Sequence, residues 1–168
     1  MNYFLTGMPG SGKSTLGRRL AKHLSLDFID LDVEIVKREG QSINQIFAEE
    51  GEAYFREQEK EALFKVCRNP NEFVLSTGGG APCFFENMDF IKGQGLTLFL
   101  NVSPEELCRR MWSKGQSNRP LLKGLTKEKL TSNLREKLED RLPFYTKAHL
   151  EIKGDSISLE EILERIKR

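Results

Sequence analysis

Gly7-Met8-Pro9-Gly10-Ser11-Gly12-Lys13-Ser14, set directly after the apolar run Tyr3-Phe4-Leu5, constrains this chain more than any other stretch. The spacing is that of a phosphate-binding loop between a strand and a helix. Glycines let the backbone turn tightly, so that its N–H groups point inward at phosphate oxygens. Lys13 supplies a mobile charge for β- and γ-phosphates, and the Ser14 hydroxyl is placed to bind Mg²⁺. The helix expected from Thr15 to Leu24 aims the positive end of its dipole at the same point. A glycine-rich turn matching by chance would lack this strand-and-helix context. The stretch therefore predicts binding of a nucleoside triphosphate.

Bulk properties narrow the remainder. At 168 residues the chain can bury the core of one domain. Its 26 basic and 25 acidic residues leave a net charge of +1, which gives no general attraction to nucleic acid or to an anionic membrane. No apolar run approaches the roughly 20 residues that span a bilayer. The first residues run straight into a strand, which predicts no signal peptide. Cys67, Cys83 and Cys108 are odd in number and widely spaced, so reduced thiols and a cytoplasmic location are expected. His23 and His149 are too isolated to suggest a metal cluster, and His149 reads as a residue entering the last strand.

Strand-like runs recur at Asn2–Thr6, Asp27–Leu31, Phe73–Thr77, Leu96–Val102 and His149–Lys153. Between them lie helical patterns such as Ile43, Ile46 and Phe47, and Leu130, Leu134 and Leu138. Ser42-Ile43-Asn44-Gln45, Ser103-Pro104-Glu105-Glu106 and Ser158-Leu159-Glu160-Glu161 have capping-box form, with Pro104 suited to a first helical turn. The alternation predicts one α/β domain over residues 1–168, with helices on both faces of a parallel sheet. The polar segment Ser113–Lys129 carries Gly115, Gly124 and Arg119-Pro120-Leu121-Leu122. Over a phosphate site it reads as a mobile lid that closes and brings in an arginine; an ordinary solvated loop is the alternative.

Three further stretches carry chemistry. Asp30-Leu31-Asp32 ends the second strand, and strand periodicity would turn both carboxylates to one side. One acid can serve the Mg²⁺ shell and the other a substrate hydroxyl, although either could instead cap the next helix. In Gly51-Glu52-Ala53-Tyr54-Phe55-Arg56-Glu57-Gln58-Glu59, Arg56 and Glu59 are spaced to pair along a helix. Thr77-Gly78-Gly79-Gly80 would let a ligand approach the backbone closely, or form only a flexible turn.

The phosphate loop, Asp-x-Asp, Phe55-Arg56, the glycine triplet, Arg119-Pro120-Leu121-Leu122 and Arg141-Leu142-Pro143-Phe144-Tyr145 occur in that order. The set resembles the shikimate kinase family from about Asn2 to the end of the chain. The resemblance implies a three-layer P-loop kinase fold, with a five-stranded parallel sheet in order 2-3-1-4-5 and a mobile lid at about residues 113–125. It implies a substrate region at about residues 31–60, and transfer of the ATP γ-phosphoryl group to the 3-hydroxyl of shikimate in aromatic amino-acid synthesis. By the same resemblance Lys13, Asp32 and Arg119 are catalytic. Gly10, Ser11, Gly12, Lys13, Ser14, Thr15, Arg110 and Arg119 bind nucleotide, with Arg109 the neighbour that could replace Arg110. Asp32, Arg56, Gly78, Gly79, Gly80 and Arg141 bind shikimate, Phe47, Phe55 and Glu59 line or brace its pocket, and Ser14 and Asp30 serve Mg²⁺. A monomer with ATP and shikimate as small-molecule partners, and without nucleic acid or membrane, is expected. Gly154-Asp155-Ser156 departs from the pattern, since no proline follows where family members place an adenine-contacting loop.

Other readings remain open at this stage. A gluconate or nucleoside monophosphate kinase would share the fold, but not Asp-x-Asp with Phe55-Arg56 and the glycine triplet. A nucleotide-dependent switch would need an output domain, and a silent binding homologue would not need Lys13, Asp32 and Arg119 together.

Overall fold

The computed structural model describes residues 1–113 and 125–167. Five parallel strands form one sheet: β1 (Asn2–Thr6), β2 (Asp27–Asp30), β3 (Phe73–Ser76), β4 (Gly95–Asn101) and β5 (Leu150–Lys153). Their order is β2-β3-β1-β4-β5, as the resemblance implied. The register sets Phe4 of β1 beside Leu75 of β3 and Thr97 of β4.

Period-two alternation divides the core between the two faces of the sheet. Leu5, Val74, Leu98, Leu100 and Ile152 turn to one face, where Leu16 and Leu20 of α1 (Lys13–Leu24) and Ile162 of α8 (Leu159–Ile166) cover them. Phe4, Phe73 and Leu75 turn to the other. There they meet α2 (Leu31–Glu39), α3 (Ile43–Glu49), α4 (Gly51–Cys67) and α5 (Asn87–Gln94). On that same face Phe99 packs with Leu107 of α6 (Pro104–Ser113) and with Leu130, Leu134 and Leu138 of α7 (Lys127–Tyr145). Three layers result.

Local chemistry sets most of the boundaries. Ser42 and Ser158 form complete capping boxes with Gln45 and Glu161. Ser103 completes only half of one. Its hydroxyl accepts from Glu106 N–H, but the Glu106 carboxylate is drawn to Arg109 and Arg110, and Asp155 Oδ1 takes the Ser103 N–H instead. Gly17 explains how α1 lies so close to the sheet, because a Cβ there would sit 2.7 Å from the Phe28 ring. Mid-helix glycine costs about 1 kcal/mol relative to alanine, and the close approach offsets that cost.

Two expectations need correction. The second strand ends at Asp30, and Leu31 and Asp32 already belong to α2. The two carboxylates therefore meet across a strand-to-helix junction, not through strand periodicity. The ends of the expected lid are helical: Ser113 closes α6, and Lys127 to Lys129 open α7. Residues 114–124, with Arg119, Pro120, Leu121 and Leu122, lie outside the described residues. Among the described residues no helix is long and apolar enough to cross a membrane.

Candidate active site

At the carboxyl end of β1 the chain turns through Gly7, Gly10 and Gly12, with φ of 138°, 85° and 100°. Only glycine adopts such angles without strain. A Cβ on Gly7 would also meet the Leu100 carbonyl at 2.7 Å. Gly12 leads into α1, whose first turn has no side-chain cap and no acidic residue. The free N–H groups there form a ready anion site. A cleft of about 450 Å³ opens above, lined by Gly10 through Leu16 with Arg19, Arg110, Ser113 and Ile157.

Lys13 is buried and donates from Nζ to the Gly7 and Met8 carbonyls, each at 2.9 Å. Burial brings its amine down to about 8, with Asp32 and Asp30 opposing the shift and Arg141 adding to it. Ser14 Oγ donates to Asp30 Oδ2 at 2.6 Å and lies 3.2 Å from Ser76 Oγ. Asp30 also caps α2, its Oδ1 accepting from Asp32 N–H at 3.2 Å. Asp30 is thus the acid that caps the helix, which leaves Asp32 free of that task. Burial, reinforced by the Asp30 charge, raises the Asp32 carboxyl above its ordinary value, against the pull of Lys13 and Arg56.

Charged residues gather around the glycine triplet. A Cβ on Gly78 would lie 2.7 Å from Glu59 Oε1 and 2.9 Å from Asp32 Oδ1. One on Gly79 would meet Pro9 at 2.7 Å and Arg141 Nη1 at 3.2 Å, and one on Gly80 would strike Arg56 Nη1 and Nη2 at 2.5 and 2.6 Å. The triplet is therefore neither a loose turn nor a surface held open for ligand alone. It makes room for the protein's own charged side chains. Arg56 and Glu59 do pair along α4, at 2.8 Å, and Glu52 holds the opposite edge of the guanidinium at 3.1 Å. Burial raises the Glu59 carboxyl, while its Arg56 partner opposes the shift. Phe47 packs on Phe55 with centroids 4.5 Å apart and the rings tilted by 36°.

Arg141 and Tyr145 lie one turn apart on α7. The Tyr145 hydroxyl donates to the Gly79 carbonyl, which fixes the end of α7 against the triplet. Arg110 bonds to Glu106 at 2.7 Å, to the Gly10 carbonyl at 3.0 Å and to the Asp155 carbonyl at 2.6 Å. Among the described residues Arg109 pairs only with Glu106 and is largely exposed, so of these two neighbours it is Arg110 that lines the cleft. Sequence reasoning missed Ile157, which stands in the cleft wall near the expected proline, and it missed Tyr145 as an anchor. Cys83 lies beside the triplet, and burial pushes its thiol up to about 11, so it stays protonated. The three cysteines are free.

Fold and site define a P-loop small-molecule kinase: a phosphate cradle with a lysine, facing a compact pocket of two arginines and two acids. A sequence model described as shikimate kinase matches residues 9–168. A shikimate kinase of Parabacteroides distasonis is 46% identical over 157 residues, covering 94% of this chain and 90% of the relative. One from Clostridium botulinum is 47% identical over 148 residues, covering 88% and 84%. The crystal structure of shikimate kinase from Bacteroides thetaiotaomicron superposes with a TM-score of 0.90 at 41% identity, covering 99% of this chain and 96% of that one. Shikimate kinase from Acinetobacter baumannii, solved with shikimate, gives 0.85 at 35% identity, covering 99% and 90%. This chain belongs to the shikimate kinase family. A Sinorhizobium meliloti gluconokinase at 19% identity and a TM-score of 0.64 shares the fold only.

Proposed function

We propose that this chain transfers the γ-phosphoryl group of ATP to the 3-hydroxyl of shikimate, giving shikimate 3-phosphate and ADP. The observation that carries the reading is the gathering of Asp32, Arg56 and Arg141 on Gly78–Gly80, beside Lys13. Shikimate is a small polyhydroxy acid. Arg56 and Arg141 suit its carboxylate, because a planar guanidinium offers parallel donors. Asp32 accepts from the reacting hydroxyl and takes its proton as the oxygen bonds to the γ-phosphorus and the bond to the β-bridging oxygen breaks. Its raised carboxyl suits a group that receives a proton. Lys13 leaves its two carbonyl partners for the phosphates, and Gly10 to Thr15 hold them through backbone and hydroxyl groups. Arg110 and Ile157 bound the nucleotide cleft.

The Ser14 hydroxyl and Asp30 carboxylate are hard oxygen donors 2.6 Å apart, a set that fits Mg²⁺ together with phosphate and water. When bound, Mg²⁺ would neutralise charge on the β- and γ-phosphates. Arg119 would add a second cation to the transferring group; that assignment rests on the sequence pattern. Residues 31–60 form the acceptor region, since Asp32 and Arg56 both fall within it. A monomer and the cytoplasm carry over from the sequence pattern, where three widely spaced cysteines suit a reducing compartment. An ADP-release assay with shikimate, quinate and gluconate as acceptors tests the reading. Turnover dependent on shikimate supports it, and equal turnover with gluconate would overturn it.

A further inference from the structure

Arg56 is held in a slot, and one wall of that slot is a residue with no role so far. The short 3-10 turn Ala81–Cys83 carries the chain from the glycine triplet to Phe84, whose ring lies 4.2 Å from Arg56 Cζ. Phe55 stands at 5.1 Å. The missing Cβ of Gly80 opens the slot on another side. In the guanidinium plane Nη1 donates to Glu59, while Nε and Nη2 donate to Glu52.

The backbone after Phe84 is strained. Phe85 and Glu86 have φ of 50° and 58°, two left-handed residues in succession, neither of them glycine. Such angles bring Cβ too close to the following carbonyl, and they persist only where surroundings impose them. Here Asn87 imposes them. It is fully buried, donates from Nδ2 to the Ala81 carbonyl at 2.9 Å, and gives its own N–H to the Phe84 carbonyl at 2.9 Å. Asn87 thus closes the segment into a tight loop, with Phe84 inward against Arg56 and Phe85 outward and exposed.

We infer that Phe84 is a positioning residue for acceptor binding. Its ring fixes the plane and depth of the Arg56 guanidinium by cation–π contact, so that an N–H edge faces the acceptor carboxylate. The inference rests on Arg56 binding that carboxylate. Stacking uses the face of the cation and leaves its edges to the acids and the ligand. Glu52, the more exposed of the two acids, is the partner an incoming carboxylate can replace.

Steady-state kinetics of Phe84→Leu, Phe84→Met and Phe84→Tyr, each with a thermal melt, test this. Losing the ring should raise the shikimate KM about 3- to 30-fold, with kcat and the ATP KM changed less than about 2-fold. Phe84→Met keeps the bulk without the ring and should match Phe84→Leu; it carries the test if Phe84→Leu does not fold. Phe84→Tyr restores the ring and should restore the wild-type shikimate KM. In an Arg56→Gln background Phe84→Leu should add nothing. Parallel rises in both KM values, the same added loss with Arg56→Gln, or an unchanged shikimate KM would each overturn the inference. An Arg56→Gln protein that binds shikimate normally would instead overturn the assignment of Arg56, and this inference with it.

Discussion

In the phosphate loop Gly7, Gly10 and Gly12 take left-handed backbone angles, and at Gly10 and Gly12 a Cβ would have ordinary space, 3.4 Å or more from its neighbours. Around the glycine triplet the opposite holds. Gly78, Gly79 and Gly80 need no left-handed angle, yet a Cβ on any of them would collide at 2.7 Å or less. On the proposed reading, the donor side is built from backbone shape, and the acceptor side from side chains crowded onto a bare backbone. Phosphates are alike in every nucleotide, so a cradle of N–H groups serves them all. One particular acceptor needs charges set at fixed points, and those charges need room.

The largest test of this contrast is Lys13→Met, which leaves the cradle's shape and removes its one buried cation. Turnover should fall on the order of 10³-fold, while the melting temperature holds or rises because a buried charge has gone. Unchanged turnover in a folded variant would break the donor half of the comparison. Gly80→Ala attacks the other half. Forcing a methyl into the Arg56 guanidinium costs roughly 1–3 kcal/mol, so the shikimate KM should rise about 5- to 150-fold with the ATP KM unmoved. Gly10→Ala is its mirror. Space is adequate, but φ of 85° costs about 1–2 kcal/mol, so the ATP KM should rise roughly 5- to 30-fold and the shikimate KM should not. Exchanged effects in these two kinetic measurements would refute the contrast.

Protons give a quieter test. Burial holds the Lys13 amine down to about 8, far below its ordinary 10.5. Between those values the unfolded chain binds a proton that the native one lacks, so this group's contribution to stability rises with pH across that window. Nucleotide phosphates favour the charged amine. ATP binding near pH 9 should therefore take up close to one proton, measured by calorimetry in buffers of different ionisation enthalpy, and Lys13→Met should abolish the uptake. The smallest effect is expected outside the site. Ser25 ends α1 with φ of 57°, where glycine is preferred. Ser25→Gly should stabilise the protein by about 0.5–1 kcal/mol in urea unfolding without altering either KM, which calibrates the conformational term alone.

Legibility in the sequence follows the same division. The phosphate loop, the five strands and two complete capping boxes depend on neighbours in the chain, and each could be read from spacing. The sheet order came through family resemblance. The dual bond of Asp30, to Ser14 and to the first turn of α2, was hidden because strand periodicity stops one residue earlier than the Asp-x-Asp spacing suggests. Arg110 joins Gly10 to Asp155 across 100 and 45 residues of sequence, and no local pattern announces such a bridge. Phe84 was invisible for the same reason, since its partner is on another element. The glycine triplet was visible, but what it makes room for was not.

β1 lies at the centre of the sheet, yet it is made before both of its neighbours. A ribosome adding about 5–20 residues each second needs roughly 5–20 s to extend the chain from Thr6 to Asn101. One hydrogen-bonding edge of Phe4 and Leu5 waits until β3 is made at Ser76, and the other waits through the whole interval for β4. Gly7 waits as well, because the Leu100 carbonyl against which it turns comes with β4. Nucleotide therefore cannot shepherd early folding of this chain. It can only reward the finished sheet, and until then the newborn protein must keep this central strand from finding the wrong partner.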